Sequence, residues 1–274
     1  MTVINTNISA MRAANASNSA ALMQGTAMQR LSTGKRINSA KDDAAGLAIS
    51  TSMTSQITGM QQGIRNANDG ISLAQTAEGA LNEVTNMLQR VRELAVQSAS
   101  GTYQAADRTN MQQEVTSLTS QVNSVLTNTK FNGVALFSTT AGTNLSFAIQ
   151  AGANSADTVT ITSLAIDGTK INATALDVTT AALATTTLGN VDTALAEVAN
   201  TNASLGGGES QLQSAINNLT SNSTNLSDAR SRIMDADYSA ETTMLAKAQI
   251  LSQASTAMIA QANQAQQNVL SLLK

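Results

Sequence analysis

The sequence predicts a mainly α protein made of long antiparallel helices that form coiled coils, with a small β-hairpin region in the middle and the N- and C-termini paired. Three observations predict this. The 274 residues include no proline, where average usage of ~5% would supply roughly fourteen, so nothing interrupts long helices. Apolar residues recur every third or fourth position over long stretches on both sides of the centre. Between about 131 and 180 that period gives way to alternation punctuated by Gly, Asn and Asp.

Taken in order, Ile4, Ile8, Met11 and Leu22 form the apolar stripe of a first helix. A long helix is predicted from about Asp43 to Ser98. Its stripe runs through Ile57, Met60, Ile64, Ala67, Ile71, Ala74, Ala77, Leu81, Val84, Leu88, Val91 and Ala95, a coiled-coil seam with one local slip. Gly101 breaks the run. Met111, Val115, Leu118, Val122, Val125 and Leu126 then mark a shorter antiparallel helix, with Asp107 as its expected N-cap. In the middle, Leu145, Phe147 and Ile149 alternate with polar residues, as do Val159 and Ile161, and every Phe of the chain falls in this segment. The helical period returns at Leu183. Leu212, Ile216, Leu219, Ser223, Leu226, Ala229 and Ile233 supply a partner seam, with a kink or irregular junction expected at Gly206–Gly208. Met258, Ala262, Ala265, Val269 and Leu272 give a last amphipathic helix. Neither terminal helix is stable alone with such an apolar face, so they need each other or neighbouring copies.

Composition removes most chemistry. With no His and no Cys there is no Cys/His zinc site, no Ser-His-Asp triad, no thiol nucleophile and no disulfide. Gly34-Lys35 lacks both the earlier Gly of a phosphate loop and its Ser or Thr, and no strand precedes the triple Gly. The acidic pairs Asp42-Asp43 and Asp235-Asp237 read as caps rather than calcium ligands. The chain is therefore expected to be no enzyme and to hold no cofactor or metal. A net charge of −3 argues against nucleic acid. No run suits a membrane span and no Sec-type signal is visible, a pattern shared by cytoplasmic proteins and by those exported on an uncleaved N-terminus. Charged residues are only 12% of the chain, about half the usual ~25%, which favours self-association. Around Val91 and Ala95, the residues Arg90, Arg92, Glu93, Leu94 and Gln97 lie off the seam. That face reads as solvated, and an outward Leu94 between charges would also suit a partner.

Several segments are similar to bacterial flagellin, the subunit of the flagellar filament. They are Val3-Ile4-Asn5-Thr6-Asn7, Arg30 through Gly46 (RLSTGKRINSAKDDAAG) and Arg65 through Ile71 near the N-terminus. Near the other end they are Ala229 through Ile233, Asp235 through Tyr238, Ala248 through Leu251, Gln261 through Gln264 and Asn268 through Leu273. The resemblance implies an inner coiled-coil domain at 1–44 plus 231–274 and a shell domain at 45–230, with a β-rich segment at 131–180 and no large outer domain. It implies a structural subunit that is exported through a type III channel and adds beneath a cap complex into an extracellular helical filament for motility. The nearest alternative is a hook-filament junction (hook-associated) protein. Implied partners are other copies, the cap and hook-associated proteins, and an export chaperone wrapping Met244 to Lys274; nucleic acid and membrane are not among them. Leu88, Gln89, Arg90, Leu94 and Glu114 match the contacts by which host Toll-like receptor 5 senses flagellins, positions that also serve packing between protofilaments. The hairpin near Phe131 to Ile149 corresponds to the family's switching element. Relatives commonly carry a Pro near Ala265-Gln266-Gln267 that is missing here, so the last helix is expected to run straighter. Ser and Thr between about 138 and 187 correspond to a region that some members glycosylate.

Overall fold

A computed structural model of the chain describes residues 6–271, with side chains as far as residue 267. In chain order the elements are α1 (Ile8–Thr33), α2 (Ala44–Ala99), α3 (Ala105–Asn128), β1 (Lys130–Phe131), β2 (Val134–Ala135), β3 (Leu145–Gln150), β4 (Thr158–Ser163), α4 (Ala181–Met234) and α5 (Tyr238–Ser271). Two compact units emerge, one from Met1–Ser55 with Asn225–Lys274 and the other from Gln56–Thr224.

In the central unit the periodic residues of α2 become its core: Leu81, Val84, Leu88, Val91 and Ala95 are fully buried and Ile57 nearly so, whereas Met60, Ile64 and Ile71 are half-buried. Across from them Leu212 and Leu219 of α4 are buried and Ile216 is half-buried. Arg92 Nε donates to Asp192 Oδ1 at 2.7 Å, and Gly70 lies against Leu212, so α2 and α4 run antiparallel. Arg90 reaches Glu114 on α3. Because α2 has α3 on one flank and α4 on another, it buries a wider arc than a two-stranded seam, and adjacent pairs such as Leu73 with Ala74 and Leu94 with Ala95 are both covered. The outward Leu94 expected from the sequence is corrected on this ground: it is 3% exposed and belongs to the core.

At the start of α3, Gln104 is the N-cap and Asp107 sits three residues in, its carboxylate accepting the Gln104 N–H at 3.1 Å. Asp107 is thus the return arm of a capping box rather than the cap itself. The expected break at Gly206–Gly208 does not occur either, since α4 is continuous through it. At Gly208 the hairpin instead packs on α4: a Cβ there would lie 3.2 Å from Ile161 Cγ1. Glycine's missing side chain is used for approach, which sequence spacing does not distinguish from flexibility.

β3 and β4 pair antiparallel with Phe147 opposite Ile161, and β1 and β2 pair around Asn132-Gly133, whose φ values of 49° and 81° suit an Asn-Gly hairpin turn. The β3–β4 hairpin lies along a row of close approaches on α2. Cβ atoms at Gly59, Gly63 and Gly70 would meet Ala153, the Ala151-Gly152 backbone and Ile149 respectively, while Asn66 donates to the Gln150 carbonyl at 3.0 Å.

Strands end at Ser163, and the rest of the segment read as β-rich is irregular. It nevertheless buries Ile166, Ile171, Leu176 and Val178. Buried backbone without a ladder needs other partners. The helices supply them: Gln112 bonds Leu176 O and Val178 N, Asn123 bonds Ile171 O, Asn190 bonds Ala175 O, Thr187 bonds Asp177 O and Glu197 accepts from Asp167 N.

Glu209 on α4 has a buried Oε1 without a partner, and burial first, then the neighbouring Glu78 carboxylate, raises its pKa above the ordinary 4.5. A carboxyl whose folded pKa is raised destabilises the fold when ionised, and the penalty fades as pH falls through the raised value. Glu209→Gln is expected to raise Tm at pH 7, with the advantage shrinking toward pH 4.5 and gone below it, as thermal unfolding across that range would register. Gly63→Ala, despite a helix-propensity gain of about 1 kcal/mol, is expected to cost a net ~1–2 kcal/mol by pushing on hairpin backbone. Gly79→Ala, where a Cβ meets nothing within 4 Å, should instead gain up to about 1 kcal/mol; urea midpoints of the two variants should shift in opposite directions.

Candidate assembly surfaces

The terminal unit is organised around a short junction. α1 stops at Gly34, whose φ of 68° suits glycine and whose N–H returns to the Arg30 carbonyl. Lys35 then bridges to Asp235: Arg36 N donates to Met234 O at 2.6 Å and Ala236 N to Gly34 O at 2.9 Å. The Arg36 guanidinium donates to Ile233 O, placing a cation on the last carbonyls of α4. The acidic pairs divide into local tasks. Asp42 accepts from the Asn38 and Ser39 N–H groups, which lowers its pKa, and Asp43 accepts from Gly46 N at the head of α2. Asp237 accepts from Ser239 and Ala240 N–H at the head of α5, and Asp235 accepts from the Ser231 hydroxyl. Ile37 is buried beneath the junction.

From this junction α1 and α5 run antiparallel: Arg30 pairs with Glu241 at one end, and Asn7 Nδ2 donates to Ala262 O at 3.0 Å at the other. On α1 the buried residues are Ala13, Ala20 and Ala27, one per heptad. On α5 they are Glu241, Ala248 and Ser255, again one per heptad. Half-buried Ala10, Ser17, Gln24 and Leu31, and Leu245, Ser252 and Ile259, fill the alternate seam positions, and half-buried Ala262 continues the row of Glu241, Ala248 and Ser255. Small residues at a heptad seam let two helix backbones approach closely.

The large apolar residues therefore lie elsewhere. Ile8, Met11, Leu22 and Met258, read from sequence as the inner coiled-coil stripe, are 50%, 59%, 74% and 60% exposed and are not on the seam between α1 and α5. Ala265 is exposed as well. Ile4, Leu272 and the Val269 side chain lie outside the described residues. Met28, Met244 and Ile250 add to the outward apolar surface. The physical reason for the correction is that each helix carries two sets of apolar residues, a small set at its fully buried seam positions (Ala13, Ala20 and Ala27; Ala248) and a set of Met, Ile and Leu lying mostly on other faces. Hydropathy weights the second, but only the first permits close packing within one chain. Toward the same unit, Leu226 and Ile233 of α4 are half-buried.

A second surface lies on α2 and α3. Arg90 is held by Glu114 at 2.8 Å and Glu93 at 2.9 Å, and those two carboxylates, Glu114 foremost, raise its pKa. Of the five residues grouped there by resemblance, Gln89, Arg90 and Glu114 are exposed, whereas Leu88 and Leu94 are core residues beneath them. Among the described residues no cluster of three or more potential metal-ligating side chains occurs, and no helix is long and apolar enough to cross a membrane.

Two family models match the chain, one described as the bacterial flagellin N-terminal helical region over residues 4–142 and one as the bacterial flagellin C-terminal helical region over residues 188–273. A flagellin of Xenorhabdus nematophila is 44% identical over 313 aligned positions, covering 99% of each chain. A flagellin of Serratia marcescens is 47% identical over 65% of this chain and 50% of that relative, so here the chain spans about half of the relative's length. A solved structure assigned as a flagellar hook-associated protein from Vibrio parahaemolyticus has a TM-score of 0.60 over 71% of this chain and 100% of its own, at 17% identity, a likeness of fold alone.

Leu94→Ala is expected to lower unfolding free energy by about 2–4 kcal/mol, the cost of a cavity at a buried leucine. Gln89→Ala, on the exposed side, should change it by less than about 0.5 kcal/mol; denaturant titration of both variants distinguishes core from surface.

Proposed function

Because the chain belongs to the bacterial flagellin family and is a subunit of the flagellar filament, we propose that its paired ends form the inner assembly domain and its central helices the surrounding shell. The inner domain takes 1–44 with 231–274 and the shell 45–230. The observation that carries this reading is the outward placement of Ile8, Met11, Leu22, Met28, Met244, Ile250 and Met258 on helices already paired through alanine and serine. An isolated chain has no use for so much exposed apolar side chain, whereas stacking against further copies buries it. The low charge content removes repulsion that would oppose stacking.

The subunit is proposed to be exported and to assemble outside the cell, beneath a cap and beyond the hook-associated proteins, with the C-terminal helix handed over by an export chaperone. Its work is mechanical rather than catalytic. The middle of the chain, with hairpins and turns packed on α2 and α4, is proposed to complete the shell without a large outer domain. Recognition by Toll-like receptor 5 would rest on Gln89, Arg90 and Glu114 as surface contacts, with Leu88 and Leu94 holding the helix that presents them. A hook-associated role is the lesser reading, since the whole-chain identity is with flagellin.

Electron microscopy of the purified chain, seeded with short filament fragments, is expected to show long helical filaments. Leu22→Glu should raise the concentration needed for assembly at least tenfold while leaving helical circular dichroism unchanged. Assembly of that variant at the wild-type concentration would remove the outward apolar face from the account.

A further inference from the structure

We propose that Asn132 is a site of spontaneous covalent modification, converted to isoaspartate or aspartate when the β1–β2 hairpin opens and protected while the hairpin is closed. The chain carries three dipeptides in which Asp or Asn precedes Gly: Asp69-Gly70, Asn132-Gly133 and Asp167-Gly168. Because glycine has no side chain, its main-chain nitrogen can swing round to attack the carboxyl or amide carbon of the residue before it. The fold treats the three differently.

Asp69-Gly70 lies inside α2, where helical geometry and hydrogen bonding hold the Gly70 nitrogen in place. At Asp167-Gly168 both reacting groups are occupied. Gly168 N donates to Thr139 O at 3.0 Å, and the Asp167 carboxylate accepts from the Thr169 hydroxyl at 2.7 Å and from its N–H at 2.9 Å. Those bonds lower the Asp167 pKa, and an ionised carboxylate is a poor target for an amide nitrogen. Asn132-Gly133 has neither safeguard. Both residues are exposed, and Asn132 carries a neutral amide with no hydrogen bond among the described residues. The Gly133 N–H has no main-chain acceptor there, and a Cβ at Gly133 would meet nothing within 4 Å.

What holds the reaction off is one backbone rotation. With a φ of 49° Asn132 is in the left-handed region, where ψ lies near about +47°. That rotation sets the Gly133 nitrogen roughly opposite Cβ about the Cα–C bond, on the far side from the amide carbon it must reach. Ring closure needs both on one side, which the closed Phe131–Val134 pair forbids. β1 and β2 share only two residue pairs, so this safeguard can open without unfolding a helix.

Once the hairpin opens, Gly133 N gives up its proton and bonds to Asn132 Cγ, the Cγ–Nδ2 bond breaks, and the nitrogen leaves as ammonia. The resulting succinimide takes up water. Breaking its bond from Gly133 N to the main-chain carbonyl gives isoaspartate, and breaking the one to Cγ gives aspartate. Isoaspartate adds an atom to the main chain of a two-residue turn. Its flanks have little room to give, since Leu136 N donates to Thr129 O at 3.2 Å and Leu136 and Phe137 are buried. A modified copy therefore does not reclose the turn, and Asn132 keeps a chemical record of time spent with the hairpin open. The inference does not depend on the assembly reading.

Full-length chain incubated at mildly alkaline pH, native and in denaturing urea, is digested with trypsin. Mass spectrometry of the peptide spanning 131–170 reads loss of the Asn132 amide, and an isoaspartyl methyltransferase with labelled methyl donor counts isoaspartate. In urea Asn132 should convert before the other asparagines of this peptide, at least tenfold faster than in the native chain. Val134→Pro, at an exposed side chain, removes an N–H from the pair that closes the turn. In native buffer that variant should convert Asn132 several-fold faster than wild type, with helical circular dichroism unchanged. If it loses helicity, wild-type chain in urea below its unfolding midpoint replaces it, and conversion should rise there ahead of any loss of helicity. Equal rates in native and unfolded chain, earlier conversion of another asparagine in urea, or no acceleration when the turn is opened overturns the proposal.

Discussion

A long helix with apolar residues along one side must lie against something along that side, because helices in water are marginal alone and draw most of their stability from packing that face. The central unit meets this requirement with three helices instead of two. α2 borders α3 through Arg90 and Glu114 and borders α4 through Arg92 and Asp192, and the arc between those ion pairs is filled by Leu88, Val91, Leu94 and Ala95. The ion pairs sit at the rim and are solvated. They mark where the covered arc ends, and burial within it supplies the stabilisation.

The same requirement explains why an irregular segment can be buried at all. Residues 164–180 form no ladder, yet Ile166, Ile171, Leu176 and Val178 are fully covered. Their neighbouring backbone groups are satisfied by Gln112, Asn123, Thr187, Asn190, Glu197 and Thr201 from α3 and α4. The abundance of uncharged polar residues on these helices thus has a structural use, since amides and hydroxyls pair with backbone at lower desolvation cost than charges. Glycines in α2 and α4 complete the arrangement by letting the β3–β4 hairpin lie directly on helix backbone.

In the terminal unit the division of labour is by side-chain size. The fully buried seam positions are mostly alanine and serine and hold two helices close, whereas Ile8, Met11, Leu22, Met28, Met244, Ile250 and Met258 face outward. A conventional amphipathic helix places its largest apolar residues against its own chain. This inversion is what a subunit needs if its strongest contacts are to be made with other copies.

Helix extents, the antiparallel pairing of the chain ends and the hairpin between them were legible from sequence alone, because period and punctuation are local properties: the seam through Leu81, Val84, Leu88 and Val91 is a matter of spacing. The cap at Asp43 and the cap at Asp237 were legible for the same reason. Which apolar stripe faces the chain itself was not. Ile8, Met11, Leu22 and Met258 fit an apolar helix face as well as Ala13, Ala20 and Ala27 do, and only the closeness of two backbones decides between them. Leu94 went from surface to core because a second neighbour widened the arc that α2 buries, and Gly208 went from hinge to contact because a hairpin distant in sequence needed the space. The sequence by itself determined where the helices run and which residues repeat along them; tertiary structure decided how many neighbours each helix has, and therefore which repeats are covered, since that number depends on residues far apart in the chain.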